Sequence, residues 1–197
     1  MIQLSDLDLI AGVSTDEGTV FTNVYPELEE KFLNKSRITD KDFYEFLKRV
    51  KPQNSPLLDD IDDKEVVDFY LKNANRNDSE AIRWRIYDFI GDVIFKCTTY
   101  TFAKRYAEQS PQENNVFFYE LTESAKPPEY QEQNGISHDA LSQFVFGLII
   151  LENGTLPEDI KMSKEIMRLW TNFAKYGSVY SIQRFSQDLY LVFILTE

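Results

Sequence analysis

An α/β layered fold is predicted for this 197-residue chain by three observations. Short apolar runs of strand character alternate with long stretches of helical periodicity, the pattern of helices packed on a sheet. The composition, 43% hydrophobic with 15 Phe and 11 Tyr, is rich enough for a packed core and excludes disorder of the whole chain. No repeat or low-complexity segment interrupts the alternation. The strands are few for a complete sheet and the first begins almost at Met1, so the expectation is a truncated central sheet flanked by helices.

Residues 7–13 read as a buried strand that ends at the turn-like Ser14-Thr15-Asp16-Glu17-Gly18, where Gly18 would supply unusual backbone angles. Residues 39–50 are helical in pattern, with Thr39 as N-cap and Phe43, Phe46, Leu47 and Val50 on one face. The acidic lead-in Asp59-Asp60-Ile61-Asp62-Asp63 suits the positive end of a helix dipole. The helix it opens sends Val66, Val67, Tyr70 and Leu71 toward a core. Residues 79–108 are the longest helix candidate, since Ile82, Ile86, Phe89, Ile90, Val93, Ile94 and Cys97 recur at three- and four-residue steps. Residues 116–121 read as a strand. A polar loop, Lys126-Pro127-Pro128-Glu129-Tyr130, then leads to Gly135 and His138. A helix over 162–176 closes at Gly177, and 188–195 form a final strand.

The charge balance is acidic, 33 Asp and Glu against 21 Lys and Arg for a net −12. That argues against nucleic acid or an anionic membrane as partner, because both reward clustered positive charge. The longest apolar run, 144–151, is far short of a membrane span, and the first residues show no signal-peptide pattern. Cys97 is the sole cysteine and cannot form a disulfide within the chain. A buried thiol is expected, with half of a bridge to a missing partner as the alternative. No cofactor and no metal site is expected.

The chemistry-bearing pair is Glu17, on the loop after the first strand, and His138, the only histidine. In an open α/β sheet the loops beyond the carboxyl ends of the strands form the functional crevice, so both residues converge on one region. A carboxylate beside an imidazole orients the ring and favours its charged form. The histidine can then take a proton from a nucleophile and return it to a leaving group.

Three motifs, in order, resemble the C-terminal part of the type-B carboxylesterases, the family that includes the cholinesterases. Leu9-Ile10-Ala11-Gly12-Val13-Ser14-Thr15-Asp16-Glu17-Gly18 is similar to its segment carrying the triad glutamate. Gly135-Ile136-Ser137-His138 followed by Phe144-Val145-Phe146-Gly147 is similar to its catalytic-histidine loop. Residues 167–177, with Trp170, Asn172, Phe173 and Gly177, resemble its Trp-x-Asn-Phe-Ala-x-x-Gly helix. The resemblance implies an α/β-hydrolase fold with Glu17 and His138 as triad acid and base, acting on a small carboxylic ester. It also puts Cys97 where cholinesterase-like members have a cysteine that pairs further along.

Three departures accompany the resemblance. No Gly-x-Ser-x-Gly elbow occurs, since no two of the seven glycines are four positions apart, and the glycine-rich oxyanion-hole loop is missing too. Asp139-Ala140-Leu141 follows the histidine where the family has Gly or Ala and then acidic residues. The helix ends Gly177-Ser178-Val179 where the family favours Gly-Asp-Pro or Gly-Asn-Pro. Phe21, just past the triad acid, falls at an acyl- or choline-pocket position, and packing in the core is the equal alternative. Val20 beside it is aliphatic, which favours general esters over choline esters.

The expectation is therefore residues 1–179 as the C-terminal portion of a carboxylesterase-like α/β-hydrolase domain, with 180–197 a divergent strand or tail. Alone it would be inactive, its serine and N-terminal half belonging to a longer parent or a separate chain. The alternative is a non-catalytic, cholinesterase-like adhesion or binding protein. Sequons at Asn34, Asn77 and Asn153 fit a glycosylated, secreted parent.

Overall fold

Short apolar runs build the sheet. The computed structural model describes residues 7–21, 30, 37–54, 61–111, 114–122, 135–152, 155–179 and 191–195. Strand β1 (Leu9–Ser14) pairs in parallel with β2 (Val116–Leu121), from Leu9 opposite Val116 to Ser14 opposite Leu121. A third strand, Leu191–Leu195, lies antiparallel on the other edge of β2, in the order first-second-third. The tail thus contributes a strand where the sequence suggests one, while 188–190 lie outside the described residues.

The described helices follow in chain order as α1 (Asp40–Asn54), α2 (Asp63–Tyr70), α3 (Ser79–Gly91), α4 (Cys97–Gln109), α5 (Ala140–Val145) and α6 (Pro157–Tyr176). Final strand β3 is Leu191–Leu195. The chain divides into two compact units, one of Met1–Glu17 with Phe95–Glu197 and one of Gly18–Ile94.

The first unit is a three-stranded sheet covered by helices, as expected for an α/β layer. Val13, Val116 and Phe118 pack with Ala103 of α4. Phe117 points the other way, against Leu169 of α6. Beyond the strand ends, Leu121, Leu141, Phe144, Met162 and Ile166 join β2, α5 and α6 in a third cluster. The buried Ser163 hydroxyl donates to the Phe144 carbonyl at 2.9 Å, tying α6 to α5. Helix α6 starts at Pro157, earlier than the expected 162. Proline at the first helical position and Glu158 and Asp159 beside it are an N-terminal signature that apolar periodicity alone misses. It ends at Gly177 in the left-handed conformation, φ 63°.

The second unit is helical. Phe43, Phe46 and Leu47 of α1, Val67 of α2, and Ile82 and Ile86 of α3 are fully buried. At the start of α1 the Asp42 carboxylate accepts from both the amide and the hydroxyl of Thr39, at 2.9 and 2.8 Å. Asp62 and Asp78 cap α2 and α3 through their side chains. Gly18 does not supply a left-handed turn here. A Cβ at that position would overlap the Tyr87 carbonyl, so close backbone approach is what requires glycine.

The long helical stripe also departs from expectation. Ile82, Ile86, Phe89 and Ile90 are buried, but Ile94 is 40% exposed and Cys97 is exposed. A π-helical turn, Asp92–Lys96, separates α3 from α4. Cys97, the first residue of α4, is exposed and not the buried thiol expected.

Candidate active site

Parallel pairing carries the ends of β1 and β2 to the same side of the sheet, where Ser14 lies opposite Leu121. The ladder continues for one residue, with the Thr15 amide donating to the Leu121 carbonyl at 3.0 Å. At the next residue the chain changes partner. The Asp16 amide donates to the Ile136 carbonyl at 3.0 Å, and Asp16 and Ser137 form an isolated parallel bridge. Glu17 then opens a short 3-10 turn, Glu17–Val20.

Each oxygen of the Glu17 carboxylate has a defined partner. Oε1 accepts from the Ser14 amide at 2.6 Å, and Oε2 lies 2.6 Å from Nδ1 of His138. Glu17 is buried, 5% exposed, whereas 41% of the His138 side chain is open to solvent. In a neutral imidazole, donation from Nδ1 to this carboxylate leaves the lone pair on Nε2. One flank of this acid–base pair is therefore closed and the other is reachable.

Two aromatic side chains border the pair. Phe95, supplied by the π turn, stacks on His138 with ring centroids 4.2 Å apart and planes at 30°. Tyr119 of β2 lies edge-on to Trp170 of α6 at 5.3 Å. Its phenol is pushed up to about 12, first by burial and then by the Glu17 charge. Gly135 adopts φ +58°, and a Cβ there would overlap the Asp16 carboxylate. Asp139, directly after the histidine, is also left-handed, with φ 65°.

Glu17 and His138 are thus brought into direct contact. Phe21 belongs to the helical unit, where it is buried at 4% exposure with its ring edge-on to Phe46 at 5.4 Å. Of the sequons, Asn77 is exposed in the loop before α3, while Asn34 and Asn153 lie outside the described residues. No metal-binding cluster occurs among the described residues. No described helix is long and apolar enough to cross a membrane. Asp16, Phe95 and Tyr119 are the site neighbours that sequence reasoning misses. Only Asp16 carried a signal, its place directly before the triad-like glutamate.

The chain is similar to known proteins. Residues 1–187 match the profile described as the Carboxylesterase family. Mouse (Mus musculus) cholinesterase is 36% identical over 96% of this chain and 30% of its own length. Acetylcholinesterase-1 of Trittame loki is 30% identical over 85% of this chain and 29% of its own. Human (Homo sapiens) bile salt-activated lipase is 25% identical over 88% of this chain and 22% of its own. The chain therefore spans less than a third of the length of these relatives.

Proposed function

This chain belongs to the carboxylesterase family, and we propose that it forms the C-terminal portion of an α/β-hydrolase ester hydrolase whose triad acid is Glu17 and whose base is His138. The observation that carries this reading is the 2.6 Å contact between His138 Nδ1 and Glu17 Oε2. A surface histidine or a solvated turn carboxylate has no need of such a partner.

The chemistry follows from the free lone pair on Nε2. A serine hydroxyl placed against it would lose its proton to Nε2 as its oxygen attacks the ester carbonyl. The resulting imidazolium would be stabilised through Nδ1 by Glu17 and would return the proton to the departing alcohol. Water, activated by the same nitrogen, would then release the carboxylic acid from the acyl-serine. Neither the nucleophile elbow nor the glycine-rich oxyanion loop occurs in these 197 residues. An acid and a base without them can move a proton but cannot acylate, so the chain alone is inactive in this reading. Its natural setting is a longer, secreted and glycosylated parent, with the exposed Asn77 as one acceptor.

Reading the transcript upstream of Met1 tests the proposal most directly. An in-frame Gly-x-Ser-x-Gly supports the esterase. A substituted serine would sink it in favour of a non-catalytic, cholinesterase-like binding protein. The purified chain should leave an aryl acetate at the buffer rate, and turnover abolished by His138→Ala would overturn the assignment of inactivity.

A further inference from the structure

Building on the reading of Glu17 and His138 as an acid–base pair, we propose that Asp16 is the positioning residue of this site. It holds His138 against Glu17 by gripping the backbone of the loop that carries the histidine.

The grip is two-handed. Asp16 Oδ2 accepts from the Ile136 amide at 2.8 Å, while the Asp16 amide donates to the Ile136 carbonyl at 3.0 Å. Both polar backbone groups of one residue, two positions before the histidine, are thus bound by one partner. A bridge between Asp16 and Ser137 extends the contact toward His138. The loop is shaped to admit the carboxylate, since Gly135 turns left-handed at φ +58° where a Cβ would collide with it. A bond from an amide to an ionised carboxylate is among the stronger hydrogen bonds of a protein.

Position in the sequence makes this contact more than local packing. Asp16 directly precedes Glu17, which opens the short 3-10 turn. The first fixes the backbone that delivers the imidazole, and the second fixes the ring. The His138 side chain is 41% exposed, so its ring meets Glu17 only where its backbone is delivered to that place.

The sole histidine makes the test unambiguous. In the ¹⁵N-labelled full chain, long-range ¹H–¹⁵N correlation at a pH where the ring is neutral reads the ratio of Nδ1–H to Nε2–H tautomers. Wild type should favour Nδ1–H, and Asp16→Ala should invert the ratio toward the Nε2–H form usual for a free imidazole. Asp16→Asn, which keeps an acceptor oxygen, should restore most of the wild-type ratio. Asp16→Ala with native circular dichroism and an unchanged ratio would overturn the proposal. If that variant does not fold, Asp16→Glu decides. Its longer side chain cannot occupy the same place against Gly135, so the Nδ1–H share should fall, and a wild-type share overturns the role. Glu17→Ala separates the two readings. If it leaves the ratio unchanged, the acid–base pair itself is wrong, whereas a response to Glu17→Ala without one to Asp16→Ala refutes Asp16 alone.

Discussion

Phe95 lies flat on the imidazole of His138, with ring centroids 4.2 Å apart. An aromatic face shields whatever sits above it, so the carbon-bound protons of this single histidine should resonate upfield of their usual positions. Replacing Phe95 with Leu keeps an apolar side chain but removes the ring current. Both imidazole protons are expected to move downfield, and the urea midpoint should report a loss of about 1 kcal/mol. Unmoved resonances would show that the stack is absent in solution.

Tyr119 makes stability depend on alkaline pH. Its phenol is held at about 12 against an ordinary value of 10.0. The folded state therefore keeps this proton more tightly than the unfolded chain does. The associated stabilisation is fully present below about pH 10 and is lost as the pH rises through about 12, with an upper limit of about 3 kcal/mol. Urea unfolding across that window should show wild type losing more stability than Tyr119→Phe. Parallel curves would refute the linkage.

Asp139 occupies a left-handed conformation, φ 65° and ψ 9°, which a residue with a Cβ enters at a cost. Asp139→Gly should stabilise the chain by about 0.5–1 kcal/mol in thermal or urea unfolding, leaving the tautomer of His138 unchanged. Destabilisation by this variant would mean that the aspartate side chain contributes more than its backbone strain removes.

Cys97 is exposed. An aromatic disulfide reagent should label one thiol per native chain at a rate within about tenfold of that measured in urea. Protection until unfolding would contradict the exposure of Cys97.

The expected strands and helices are legible because their signals are local. The short apolar run in Val116–Leu121 and the 3.6-residue stripe of Ile82, Ile86 and Phe89 need no partner to be read. What escapes is what depends on distant contact or on backbone irregularity. Nothing in Asp92-Val93-Ile94-Phe95-Lys96 announces a π turn, so Phe95 reads as one more apolar residue in a helix. The antiparallel direction of β3 has no local signature either. At the site, Glu17 and His138 stand out only through their joint motif context. Asp16 escapes because its partner, the Ile136 amide, is 120 positions away.

The closure of Thr15 on Leu121 and of Asp16 on Ile136 brackets the stretch between residues 122 and 135 at both ends. Chain length within that bracket is mechanically decoupled from the distance between acid and imidazole. The 2.6 Å contact between acid and imidazole is thus held by residues 14–17 and 136–138, whatever the number of residues between 122 and 135.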